Sequence, residues 1–115
     1  MDSGLEAFVA QFLARDHRIW WAISASPEPV GCLWLGYTVD PVTGDRHPYV
    51  FLLHVLPAHR RQGIGRSLMQ IAEAWATQQG YRKLSLHVFD KSAEARQLYQ
   101  GLGYQSQSIL MAKNL

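Results

Sequence analysis

The apolar residues Leu5, Phe8, Val9, Phe12 and Leu13 recur at i, i+3, i+4, i+7 and i+8, which predicts one face of a helix over about residues 3 to 15. Asp2 or Ser3 stands where its cap belongs. Ile19 to Ala25 reads as a strand, with Trp20, Trp21 and Ile23 as strand-favouring side chains. Ser26-Pro-Glu-Pro29 is dense in turn formers and separates it from a second run, Val30 to Tyr37, so the pair predicts a hairpin. Asp40-Pro-Val-Thr-Gly-Asp-Arg-His-Pro48 is the longest polar loop. After it, Tyr49 to Leu56 is almost wholly apolar, which predicts a strand covered on both faces.

Past residue 60 the period changes. Ile64, Leu68, Ile71, Ala72 and Trp75 mark the buried face of a long helix ending near Gln79, with Gly80 placed to cap it in a left-handed conformation. Leu84, Leu86 and Val88 give another strand, so residues 49 to 88 form a strand-helix-strand unit with parallel strands. Ser92 starts a short helix carrying Ala95, Leu98 and Tyr99 on one side, and Gln100-Gly-Leu-Gly103 ends it. Tyr104 to Met111 predicts a final strand. The fold class is α/β (α+β): a mixed, mainly antiparallel central sheet with a parallel strand-helix-strand core, in one domain over residues 1–115.

Composition narrows the function classes. The chain has 115 residues, 48% of them hydrophobic, enough for one globular core. No apolar run approaches the roughly 20 residues of a membrane span and no signal-peptide layout opens the chain, so a cytoplasmic protein without membrane contact is expected. The single cysteine, Cys32, lies in Val-Gly-Cys-Leu-Trp-Leu and reads as a structural thiol. A net charge of +2, with only Arg60, Arg61 and Arg66 clustered, does not point to nucleic acid. His17, His47, His54, His59 and His87 show no paired ligand spacing, so no metal site is expected.

The chemistry concentrates in Val55-Leu-Pro-Ala-His-Arg-Arg-Gln-Gly-Ile-Gly-Arg-Ser-Leu-Met69, which runs from strand through a basic glycine loop into helix. A dinucleotide fingerprint would need glycine where Leu68 stands. A nucleotide-triphosphatase loop would need Gly-Lys-Ser or Gly-Lys-Thr, which is absent. What remains is a pyrophosphate turn, Arg60-x-x-Gly63-x-Gly65, with N–H groups at a helix N-terminus facing an anion.

This stretch, Val55-x-Pro57-x-x-Arg60-x-x-Gly63-x-Gly65, resembles the coenzyme A pyrophosphate motif of the GNAT superfamily of N-acetyltransferases. A second block, Leu84-x-Leu-His-Val-Phe, Ser92-x-x-Ala95-x-x-Leu98-Tyr99, Gly101-Leu-Gly-Tyr104 and Met111-Ala-Lys, is similar to the same family in order and spacing. Against the family's pattern, the usual first strand and first helix are expected to be missing, which would leave Ile19 to Ala25 as an uncovered sheet edge and predicts a homodimer or a segment supplied from elsewhere.

The resemblance implies transfer of an acetyl group from acetyl-CoA to a primary amine of a small molecule or protein, by direct attack in a ternary complex. It also allows a catalytically idle module that only binds or senses acyl-CoA. It implies that the main chain at Val55 and Leu56 holds the pantetheine and the thioester oxygen, and that amides of Arg61, Gln62, Gly63, Ile64, Gly65 and Arg66, with Arg60, cradle the pyrophosphate. Ser92 stands where the family usually has a pantetheine-holding asparagine. Tyr99 falls at the position of the acid that protonates the leaving thiolate. His87, near the end of the strand beside the coenzyme strand, is the candidate base, since imidazole titrates near neutral pH; His54 is second, and Tyr49 is no ordinary base. Trp20, Trp21, Trp34 and Tyr37 read chiefly as core or sheet-face residues, with an acceptor pocket at the hairpin as the alternative and Asp40 or Asp45 to attract a cationic amine.

Overall fold

A computed structural model of the chain describes residues 6–11 by their backbone, and residues 17–25 and 28–115 in full. Five strands form one sheet in the order β1-β2-β3-β4-β5: β1 Glu6–Gln11, β2 Arg18–Ile23, β3 Pro29–Val39, β4 Arg46–Val55 and β5 Ser85–Leu86. A 3-10 turn, Pro57–His59, leads to α1, Ile64–Gln78, and α2 spans Ala93–Gly101. The first three pairings are antiparallel and β4 with β5 is parallel. This is the mixed, mainly antiparallel sheet with a parallel strand-helix-strand unit that the pattern predicts.

The front of the chain corrects the reading at one point. Glu6–Gln11 is a strand, paired from Glu6 opposite Ile23 to Gln11 opposite Arg18, and not part of a helix. The rest of the predicted helix lies outside the described residues. A short apolar run fits both periods, and here ladder bonds to a neighbouring strand decide it. Ahead of β2 the described residues carry a single element, and it is a strand. A second correction follows. With β1 on one side and β3 on the other, β2 is no sheet edge, and the expected pairing of a second copy along it loses its physical ground.

α1 covers one face of the sheet. Its Ile64, Leu68, Met69 and Ala72 form one core cluster with Trp20, Ala22, Val30, Leu33, Leu35 and Val50, and Ala76 is buried a turn further on. Trp75 meets the edge of Trp20 at 6.0 Å between centroids, and Arg18 lies over the Trp75 ring at 4.7 Å. Gly80 closes the helix as expected: its φ of 88° is left-handed, its N–H donates to Thr77, and the Tyr81 N–H donates to Ala76 at 3.0 Å. α2 ends the same way at Gly103, where Tyr104 N–H reaches the Tyr99 carbonyl at 2.9 Å. The Tyr104 hydroxyl then donates to Glu73 at 2.7 Å and ties α2 to α1.

The expectation that β4 is covered on both sides is corrected on the face away from α1, where Phe51 is 48% and Leu52 46% exposed. The cause is a bulge. Trp34 pairs with Leu52 and Leu35 with Val50, so Phe51 opposes no residue and the inward-outward alternation slips by one. Val50, Leu53 and Val55 then pack on the core side while Phe51 and Leu52 do not. The predicted final strand is also absent. Residues 104–115 lie outside helix and strand, and Ile109, Leu110 and Met111 are exposed. A strand needs a ladder to join, and the two residues of β5 offer very little edge.

In the polar loop before β4, Asp40 accepts from Lys83 Nζ at 2.6 Å and from the N–H groups of Val42 and Thr43. The Lys83 bond, then those two amides, hold the Asp40 carboxyl down to about 2. A carboxyl lowered on folding stabilises above its unfolded value near 3.9 and loses that contribution as pH falls through about 2. Lys83→Met is expected to move the Asp40 carboxyl up toward the ordinary carboxylate range in a carbon-13 NMR titration; an unmoved resonance midpoint would rule the pair out as the cause. Asp40 is therefore engaged within the fold and does not wait for a cationic amine.

Candidate active site

β4 and β5 share only two pairings, Tyr49 with Ser85 and Val50 with Leu86. Beyond them β4 runs on to Val55, bonded to β3 alone among the described strands. Antiparallel exchange alternates along a ladder, and the Leu56 N–H donates to the Val30 carbonyl at 2.9 Å. The N–H groups of Val55 and Leu53 therefore point to the opposite edge, into the gap that opens beside β5. An extended ligand laid in that gap would meet main-chain donors and acceptors as a strand would. Of the two residues named from the resemblance, Val55 has its N–H on the open edge, whereas the Leu56 N–H is already engaged.

The loop that follows ends at the N-terminus of α1. Ser67 is the first residue to bond back, to the Gly63 carbonyl at 3.0 Å, so the N–H groups of Gly63, Ile64, Gly65 and Arg66 have no intrahelical acceptor. Gly63, with φ 82°, and Arg61, with φ 62°, take the left-handed turns that aim this end of the helix. Gly65 has no such conformation and serves by its size. A Cβ there would sit 3.5 Å from Leu98, 3.8 Å from Leu53 and 3.9 Å from Val55, in the notch between β4 and α2. Ile64 is buried in the core and anchors the turn.

The arginine side chains are turned to the protein itself. Arg60 Nε donates to the Val55 carbonyl at 2.8 Å. Arg61 pairs with Glu94 on α2 at 3.5 Å, both side chains at least 75% exposed, so the pair contributes little beyond orientation. Arg66 reaches toward the end of α2, with Nη1 3.7 Å from where a Gly101 Cβ would stand. Gln62 is exposed. An anion in this loop would meet chiefly main-chain amides and the positive end of the helix dipole.

On α2, Ser92 stands at the N-cap but makes no capping bond with its side chain. Tyr99 packs half-buried against the core cluster and meets Tyr104 edge-on at 5.9 Å. Burial pushes the Tyr99 phenol up from its ordinary value, so it keeps its proton through the neutral range and can donate it.

His87 leaves the end of β5 exposed, and its Nδ1 lies 2.5 Å from the Tyr49 hydroxyl. The pairing makes Tyr49 part of this site, which sequence reasoning passed over because it weighed Tyr49 only as a base. The parallel register of β4 and β5 is what brings the two together, and no local motif announces it. His54 is exposed on β4 opposite Cys32, whose thiol is pushed up by burial and stays protonated. His47 is buried with Nε2 2.8 Å from Ser85 Oγ. Among the described residues no group of three or more His, Cys, Asp or Glu is arranged to hold a metal ion. No helix among them is long and apolar enough to cross a membrane.

The aromatics thought of as a hairpin pocket divide. Trp20 is core, and Tyr37 packs on Tyr81 at 5.8 Å with Arg46 over its ring at 3.9 Å. Trp34 joins Phe51 at 5.4 Å on the face away from α1.

Comparison with known proteins agrees with this geometry. The chain is 30% identical over 100 residues to the uncharacterized N-acetyltransferase YdgE of Bacillus subtilis and 28% over 99 residues to YycN of the same organism, covering 87% and 86% of this chain. It spans 62% of the length of each. An aminoglycoside acetyltransferase from an uncultured soil metagenomic sample shares the fold with a TM-score of 0.74 at 18% identity, over 90% of this chain and 68% of that one. Residues 2–104 match the family model described as Acetyltransferase (GNAT) family. With its sheet splayed between β4 and β5 and a glycine turn opening α1, the chain belongs to the GNAT acetyltransferase family.

Proposed function

We propose that the chain is an acetyl-CoA-dependent N-acetyltransferase that passes the acetyl group directly to a primary amine within a ternary complex. The observation that carries this reading is the free β4 edge from Phe51 to Val55, ending beside the unbonded amides of α1. The edge suits an extended pantetheine arm and the helix N-terminus suits a pyrophosphate. Val55 N–H, on that edge, donates to the thioester oxygen, where charge develops in the transition state.

The remaining groups handle protons. As the C–N bond forms and the C–S bond breaks, Tyr99 gives its phenolic proton to the departing thiolate. His87 takes a proton from the amine, directly or through water. That role requires the tautomer in which Nδ1–H donates to the Tyr49 oxygen and Nε2 keeps a free lone pair. Tyr49 is thus a positioning residue. Ser92, with no cap to make, has its hydroxyl available to the pantetheine arm.

Release of free thiol from acetyl-CoA, followed across a panel of primary amines, tests the reading. Amine-dependent release is expected. Binding of acetyl-CoA with no release for any amine or protein N-terminus would favour the idle binding module instead.

A further inference from the structure

β4 ends in a turn whose main-chain donors are committed within it. The His59 N–H donates to the Leu56 carbonyl at 2.8 Å and the Arg60 N–H to the Pro57 carbonyl at 3.4 Å, and Pro57 has no N–H to give. The Val55 carbonyl is bonded instead by a side chain, Arg60 Nε, at 2.8 Å. With the Leu56 N–H turned to Val30, antiparallel alternation puts the N–H and the carbonyl of Val55 on the same side, facing the gap. Arg60 therefore takes the last main-chain acceptor of the β4 edge and leaves the donor beside it open.

That bond clamps a peptide. The Val55–Leu56 plane is held through its carbonyl by Arg60 and through its N–H by the Val30 carbonyl at 2.9 Å, so it is fixed where strand gives way to 3-10 turn. An unclamped plane could swing with Val55 in a crankshaft motion and carry the Val55 N–H off its aim. A donor that meets developing charge works best when it is fixed before the reaction.

The local backbone separates Arg60 from the anion-facing amides. Arg60 is extended, at φ −76° and ψ 162°, and the left-handed Arg61, φ 62°, turns the chain directly after it. The side chain reaches back five residues to Val55, whereas the N–H groups without an intrahelical acceptor begin ahead of it, at Gly63.

We propose that Arg60 is a positioning residue, which holds the Val55 peptide so that the Val55 N–H is aimed at the thioester oxygen, and that it does not act as a ligand of the pyrophosphate. This rests on the acetyl-transfer reading, in which Val55 is that donor.

Arg60→Leu and Arg60→Gln test it. Glutamine carries its amide nitrogen the same number of bonds from Cα as arginine carries Nε, so it can remake the bond to Val55 without the charge. Arg60→Leu is expected to lower kcat about 10-fold, the scale of one charge-assisted hydrogen bond, while the dissociation constant of acetyl-CoA changes by less than about 3-fold. Arg60→Gln is expected to recover most of that rate. S-acetylpantetheine, which has no pyrophosphate, is expected to show the same loss in kcat/KM with the leucine variant as acetyl-CoA does. A loss confined to acetyl-CoA, a rate that glutamine does not recover, or an unchanged rate in Arg60→Leu would overturn the proposal.

Nitrogen-15 NMR, comparing acetyl-CoA with CoA, reads the same contact without turnover. The Val55 amide is expected to shift further with acetyl-CoA than with CoA in the parent and in Arg60→Gln, and equally with both in Arg60→Leu, while the Gly63 and Gly65 amides move alike in all three. No acetyl-dependent shift in the parent, or one that survives in Arg60→Leu, would count against Arg60 even where thiol is released. The expected Val55 shifts without thiol release from any amine would sink the transferase reading and leave the role of Arg60 standing.

Discussion

Tyr99→Phe is expected to lower kcat by about 10-fold to 10⁴-fold while acetyl-CoA still binds, a span that reaches just below the usual range for general acid catalysis. The substitution removes one oxygen from a ring that packs against the core cluster and meets Tyr104 edge-on, so packing is retained. Burial raises the phenol, so this residue keeps its proton and imposes no loss of activity on the basic side below pH about 10. Single-turnover kinetics checks the assignment, because loss of a proton donor slows the chemical step itself. A wild-type rate in that assay would reduce Tyr99 to a packing residue.

Gly65→Val is expected to weaken acetyl-CoA binding by about 10-fold to 100-fold, the equivalent of roughly 1–3 kcal/mol of overpacking. Its physical basis differs from that of Gly63. Gly63 needs its left-handed φ, whereas Gly65 is helical and borders the notch between Leu53, Val55 and Leu98. A methyl group there meets only ordinary contacts at 3.5 Å and beyond, so Gly65→Ala is expected to bind nearly as the parent does. Two further methyl groups fill the space a ligand would take. Calorimetric titration of both variants decides the point; equal affinity in Gly65→Val would mean that the coenzyme does not pass this notch.

What could be read in advance divides by the range of the interactions. The turn from Val55 into α1 and the glycine caps at Gly80 and Gly103 are local, since each depends on a few consecutive residues, and all are where the pattern puts them. β1 depends on a partner. Its apolar spacing fits a helix, and only the ladder to β2 makes it a strand. The tail from Tyr104 fails for the opposite reason, because its strand-like composition finds no long edge at β5. Within the candidate site, the loop amides follow from the spacing of Gly63 and Gly65 ahead of α1, whereas Tyr99 is named only through the resemblance. The Tyr49–His87 pair is legible in neither way, because a register between separate strands creates it. The arginines of the loop show the same limit, since Arg60 and Arg61 reach back to Val55 and Glu94.

The bulge at Phe51 has one more consequence. Were β4 regular there, its free edge and the chain after Leu86 could continue their two-residue pairing and zip the gap shut in the absence of ligand. An unpaired residue at the branch point bends β4 away and breaks that register. The parting of the two parallel strands is thus written into the backbone of β4 itself, at the step between Val50 and Leu52.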